Sequence, residues 1–302
     1  MTTDADAASR NAPEQASAAS VDRAVRRATA LLSAAGVASP RVDAEHLMGA
    51  VLGIDRADVA LRRVLGVSLS SSQRSTYLEL VDQRCQRVPL QHLTGVADFA
   101  GLRLDVGPGV FVPRPETELL VQRAVQLLSV MPHPLVVDLC TGSGAVALAV
   151  QRYTPAATVH AVELSELAAA WASRNIRAWG PRVQLRCEAA QTSCPDLVGQ
   201  VDLVTCNPPY IPPDAEPVEP EVADHDPAVA LYGGGRGGLE IPAAMASRAA
   251  ALLRPGGRLL LEHGQDQGPA LTSAISHQGA WVTVTEHVDL NERPRFLEAV
   301  RA

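Results

Sequence analysis

Between Val21 and about Gln86, apolar residues recur at the three-to-four spacing of amphipathic helices. The segments are "VDRAVRRATALLSAAG", "SPRVDAEHLMGAVLG", "RADVALRRVLG" and "SLSSSQRSTYLELVDQRCQ". Ser39 before Pro40 reads as an N-cap with proline at the first helical position. Gly36 and Gly53 read as C-terminal stops, and Ser70 to Ser72 as the cap of the last helix. Residues 21–86 are therefore predicted to form a small helical-bundle domain.

The period then changes. In "RVPLQHLTGVADFAGLRLDVGPGVFVPRPETE", glycine and proline punctuate short β-type runs, which predicts a β-hairpin linker over residues 87–113. "PRPETELLVQRAVQLL" reopens a helix with Pro115 near its first turn and Glu116 and Glu118 at its positive end. From Leu135 strand and helix alternate: strands "LVVDLC", "TVHAVEL", "VQLRCE", "VDLVTC" and "GRLLLEHG" are separated by helical segments or loops, and "AWVTVTEHVDL" and "PRFLEAV" close the chain. Such alternation predicts an α/β domain over residues 114–302, with a parallel sheet covered on both faces and ligands bound beyond the carboxyl ends of its strands.

Composition narrows the classes. The first twenty residues are small and polar, without the apolar stretch of a signal peptide, and predict a disordered tail over residues 1–20. No apolar run approaches the roughly 18 to 20 residues of a membrane span, so a soluble, non-membrane protein is expected. The formal net charge is −7, all 26 basic residues are arginine, and no basic block is visible; direct nucleic acid binding is not expected. Five scattered cysteines without C-x-x-C spacing predict reduced cytoplasmic thiols and no metal site.

Two turns carry candidate chemistry. In "VVDLCTGSGAVALA", Gly142 and Gly144 mark the turn between a strand and its helix, where a cofactor can approach the backbone. The stretch also fits the dinucleotide pattern G-x-G-x-x-A. Asp138 favours the other reading, because a carboxylate suits the amino group of S-adenosylmethionine better than a pyrophosphate. Glu163 ends the next strand, where it can accept hydrogen bonds from ribose hydroxyls of either cofactor.

The second turn is "NPPY". Proline confines the residue before it to extended backbone, so Asn207 and Pro208 are both stiffened, and two missing N–H groups leave the corner rich in acceptors. The Asn207 side-chain oxygen and the Pro208 carbonyl are placed to accept N–H groups of an amino or amide nitrogen, with Pro209 rigidifying the corner and Tyr210 stacking on the planar group.

Together these residues resemble the release factor glutamine methyltransferases, the HemK family of class I methyltransferases. The likeness rests on "RVPLQHLTG", "DFAGL", "VFVPRPETE", "DLCTGSGAVAL", "NPPYIP" and "LLLEHGQDQ" and covers nearly everything after Val21. It implies a Rossmann-like seven-stranded sheet whose last strand is antiparallel, with the helical domain helping to recognise the substrate. It implies methyl transfer from S-adenosyl-L-methionine, leaving S-adenosyl-L-homocysteine, to the glutamine of Gly-Gly-Gln in peptide chain release factors. A monomer is expected. Cys140, Thr141, Gly142, Ser143 and Gly144 would surround the methionine part, Glu163 the ribose, and Glu188 with Ala189 the adenine edge. Asn207, Pro208, Pro209 and Tyr210 would receive the glutamine, with Asn207 also beside the donor. The chain departs from relatives at Glu188-Ala189 and in "YGGGRGGLE", which lacks an aspartate often found there. The alternative acceptor is the amino group of a nucleic acid base.

Overall fold

The structure, a computed structural model, describes residues 20–302, so the predicted tail lies outside the described residues except for Ser20. The chain divides into two compact units: the residues through Gly95 with Glu219–His225, and Val96–Val218 with Asp226–Ala302.

The first unit is helical: α1 (Val21–Ala34), α2 (Pro40–Leu52), α3 (Arg56–Val64), α4 (Ser71–Cys85) and a short α5 (Leu90–Thr94). Local chemistry sets the boundaries. The Ser20 hydroxyl caps α1, Gly53 ends α2 in the left-handed conformation, and Ser70 with Gln73 makes a reciprocal capping box at α4. Val25, Leu32, Leu47, Met48, Tyr77 and Val81 fill the interior, where the Tyr77 hydroxyl donates to Ala44 O at 3.0 Å. α5 falls inside the stretch read as hairpin linker; five residues are too few to show a helical period.

The short helix Pro220–His225 also belongs to this unit. Its Glu221 carboxylate accepts from Arg84 at 2.7 Å and from Arg87 at 2.6 Å. Burial opposes ionisation of Glu221, but these two arginines outweigh it and hold the carboxyl down at about 2.

The second unit begins with a hairpin, β1 (Val96–Phe99) paired with β2 (Leu102–Asp105) across Ala100 and Gly101, both at positive φ as a tight two-residue loop requires. A 3-10 turn, Pro115–Thr117, leads into α6 (Glu118–Leu128). The alternating series follows: β3 (Leu135–Leu139), α7 (Ala145–Tyr153), β4 (Thr158–Glu163), α8 (Glu166–Trp179), β5 (Gln184–Cys187), β6 (Val201–Cys206), α9 (Glu240–Leu252), β7 (Leu253–Glu262), α10 (Gly268–Ser276), β8 (Trp281–Val288) and β9 (Pro294–Arg301).

The seven strands lie in the order β5-β4-β3-β6-β7-β9-β8; β3 to β7 are mutually parallel and β9 runs antiparallel to both its neighbours. Alternate side chains feed two cores, one on each face. Val136, Val159, Leu203 and Leu260 pack with α6 and α7, while Val137, Val162, Val204 and Leu261 pack with α9 and α10. Phe99, 1% exposed, joins the first of these cores.

Candidate active site

Strand register determines what meets at the carboxyl ends. Leu139 pairs with Val162 and with Cys206, Glu163 pairs with Cys187, and Cys206 pairs with Leu261. The next residues along therefore stand in one row across five adjacent strands: Cys187, Glu163, Cys140, Asn207 and Glu262. The strand order reverses between β3 and β6, the point in an open parallel sheet where a crevice forms.

On β3, Asp138 is 2% exposed and points inward. Its oxygens accept from the Thr141 hydroxyl at 2.5 Å and the Thr205 hydroxyl at 2.7 Å. Burial pushes its carboxyl up to about 6 against those hydrogen bonds. Asp138 thus ties the glycine loop to β6 from within. The loop itself places Cys140, Gly142 and Gly144 at positive φ. A Cβ on Gly142 would meet no atom within 4 Å, so this backbone opens on free space. Asn175 of α8 braces the loop by donating to Ser143 O at 2.9 Å.

Glu163 receives Gly142 N–H on one oxygen and Ser165 N–H on the other, both at 2.8 Å. Each oxygen keeps an accepting position, so Glu163 both fixes the loop and remains able to bind a diol. Glu188 accepts Cys194 N–H at 3.0 Å, and Ala189 beside it is exposed.

At the end of β6, Pro208 and Pro209 are buried while Asn207 and Tyr210 are partly exposed. Asn207 Nδ2 donates to Thr117 Oγ1 at 3.3 Å. Glu262 is buried among these groups, and its burial pushes the carboxyl up to about 7 although the polar side chains of Thr117 and Asn207 beside it pull it down. Burial also raises the Tyr210 phenol, which stays protonated at neutral pH.

Gln267 clasps the far side of this turn: its Nε2 donates to Tyr210 O and to Gly237 O, each at 2.7 Å, and its Oε1 accepts Gly264 N–H at 2.8 Å. The "YGGGRGGLE" loop lies against the same main chain, with Ile211 N donating to Leu231 O at 2.8 Å and Gly233 N to Ile211 O at 2.9 Å.

Comparison with known proteins decides the family. A family profile described as the PrmC N-terminal domain matches residues 23–95, and one described as a methyltransferase domain matches residues 136–225. The release factor glutamine methyltransferase of Streptomyces coelicolor is 47% identical over 281 residues, covering 92% of this chain and 97% of that protein. The chain belongs to the release factor glutamine methyltransferase family. The Mycolicibacterium smegmatis protein of the same name is 45% identical, covering 92% and 96%. A 4-amino-L-phenylalanine/4-methylamino-L-phenylalanine methyltransferase of Streptomyces pristinaespiralis is 37% identical, covering 92% and 94%.

As a member of this family the chain is a methyltransferase, and the sequence-derived candidates Asp138, Cys140 to Gly144, Glu163, Glu188, Ala189 and Asn207 to Tyr210 fall at or just beyond the carboxyl ends of β3 to β6. Thr117, Asn175, Glu262 and Gln267 were not singled out by sequence. The one signal for Glu262 was a carboxylate closing the apolar run "LLLE" of a central strand. Among the described residues, no group of three or more His, Cys, Asp or Glu is placed to hold a metal ion, and no helix is long and apolar enough to cross a membrane.

Proposed function

We propose that the chain transfers a methyl group from S-adenosylmethionine to the side-chain amide nitrogen of the glutamine in the Gly-Gly-Gln motif of peptide chain release factors. The observation that carries this reading is the adjacency of Asn207 and Cys140 in the strand-end row, which sets an acceptor-rich turn beside an open glycine loop. The names of the most similar relatives agree with it.

The site fits the donor. Cys140 to Gly144 offer a backbone that a ligand can approach, Glu163 has accepting positions for two ribose hydroxyls, and the exposed Leu164 beside it offers apolar surface to a base. Asp138 holds the loop rather than the ligand. Glu188 and Ala189 border the adenine end. When bound, S-adenosylmethionine supplies an activated methyl group.

The protein's own contribution is position. An amide nitrogen is a poor nucleophile because its electron pair is delocalised. Asn207 Oδ1 and the Pro208 carbonyl accept its two N–H groups, aim the electron pair, and favour the positive charge that develops on nitrogen. Pro209 keeps the corner stiff, and Tyr210 holds the planar group from one side. Orientation of this kind is worth roughly 7 to 11 kcal/mol.

The relative acting on 4-amino-L-phenylalanine supports a second reading, in which the same acceptors grip a free aryl amine. Mass spectrometry separates the two. Incubation with S-adenosylmethionine should add one methyl group to a release factor, located at Gly-Gly-Gln and absent from its Gln→Ala variant. Methylation of 4-amino-L-phenylalanine with no change in the release factor would overturn the assignment, as would label found only in RNA or DNA.

A further inference from the structure

The two ends of an asparagine carboxamide have nearly the same shape, so packing alone does not decide which end faces a substrate. For Asn207 the choice matters: Oδ1 accepts from an acceptor nitrogen, whereas Nδ2 would set donor against donor. Thr117 Oγ1 receives Nδ2–H at 3.3 Å, but a hydroxyl can also donate, so by itself it would tolerate either orientation.

Glu262 removes that freedom. The pairing of Cys206 with Leu261 sets Asn207 and Glu262 side by side on neighbouring strands. Glu262, buried beside them, feels both Thr117 and Asn207, and each favours its ionised form. An ionised carboxylate only accepts. Once it takes the single hydroxyl proton of Thr117, that oxygen is left as an acceptor for Asn207 Nδ2–H, and the polarity of the chain is set in one direction.

We propose that Glu262 is a positioning residue which, directly and through the Thr117 hydroxyl, holds the Asn207 carboxamide with Oδ1 toward the acceptor nitrogen. Protonation of Glu262 reverses its character, because a carboxylic acid donates and can pair with Oδ1, turning Nδ2 outward. The other groups that set its charge are known. Glu116 opposes ionisation, Arg295 favours it, and Tyr210 and Cys206 lie within its field. Arg295 is itself paired with Asp289 at 2.7 Å. With burial dominant, its carboxyl is pushed up to about 7.

The inference rests on the acceptor role proposed for Asn207, and its test includes a readout that needs no acceptor. In the full chain labelled with nitrogen-15, the Asn207 carboxamide signals, assigned by their loss in Asn207→Ala, should shift between about pH 6 and about pH 8 and stay still in Glu262→Gln. With release factor as acceptor, Glu262→Gln should lower kcat by about tenfold or more and abolish the acid limb of its pH profile, at unchanged affinity for S-adenosylmethionine measured by calorimetry. Thr117→Ser should keep most turnover and Thr117→Val should lose it.

Carboxamide signals that ignore pH, or a Glu262→Gln enzyme with the turnover and acid limb of the parent, would overturn the proposal. If Glu262→Gln does not fold, equal turnover of Thr117→Ser and Thr117→Val does the same. Failure of the parent enzyme to methylate a release factor would instead overturn the substrate assignment, leaving the carboxamide titration to decide the role of Glu262.

Discussion

Gly238 lies so close to the main chain of the acceptor turn that a Cβ in its place would collide with the Tyr210 carbonyl oxygen and stand 2.9 Å from Pro212 N. It also sits at φ +72°, which side chains rarely adopt. The "YGGGRGGLE" loop is thus a backing plate for the turn, and Gly233 and Gly238 answer a need for close approach. Gly238→Ala should displace Tyr210 and Ile211 and cost about 1 to 3 kcal/mol in stability. Turnover should fall at least about tenfold while S-adenosylmethionine binding persists. Parallel calorimetry and methyl-transfer assays check this; equal loss of both would show that the loop supports the whole domain instead.

Asn207→Ala removes the proposed side-chain acceptor without disturbing the Cys140–Gly144 loop, whose anchors are Asp138, Glu163 and Asn175. The expected loss in kcat is roughly a hundredfold to a thousandfold, with donor affinity within about twofold of the parent. Single-turnover kinetics with saturating donor provide the measurement, and an undiminished rate would contradict the acceptor role.

Glu262 should make stability depend on pH. Its carboxyl titrates at about 7 in the folded chain against 4.5 for the free group. The folded state therefore holds the proton more tightly, and this contribution to stability is full below about 4.5 and is lost as pH rises through about 7. Glutamine does not titrate. Relative to the parent, Glu262→Gln should gain up to about 3 kcal/mol of stability between those limits, read from urea unfolding midpoints at several pH values. Parallel pH dependences for the two proteins would contradict the buried, costly charge.

The opposite sign is expected for Glu221, whose carboxyl is held down at about 2 between Arg84 and Arg87. Its contribution is present above about 4.5 and is lost as pH falls toward about 2. Glu221→Ala leaves two arginines without their shared partner and should cost about 3 kcal/mol. Hydrogen exchange should show the amides of residues 220–225 losing protection first. Unchanged protection there would mean that backbone packing alone holds this helix.

Much of this was legible in the residues themselves. The helix start at Ser39-Pro40, where the serine hydroxyl makes no capping bond, the caps at Gly53 and Ser70, the strand-helix alternation and the two turns each carry their own local signal. What escaped is what depends on pairing between distant strands. Thr117, in the 3-10 turn before α6, and Glu262, at the end of β7, sit 145 positions apart in sequence and come together only in the folded chain. Gln267 joins three backbone segments whose proximity no local pattern announces. The proline and glycine stretch after "NPPY" read as loop, yet it contains Pro220–His225 and Ala228–Leu231, because single helical turns are too short to show a period.

The ladder between β3 and β6 has a further consequence. Hydrogen-bonded strands keep a spacing of about 4.8 Å. With Leu139 paired to Cys206, the separation between the Cys140 loop and the Asn207 turn is gauged by the sheet's own rungs. Evolution can exchange the molecule that is modified by altering peripheral surfaces, while the ruler underneath stays the same.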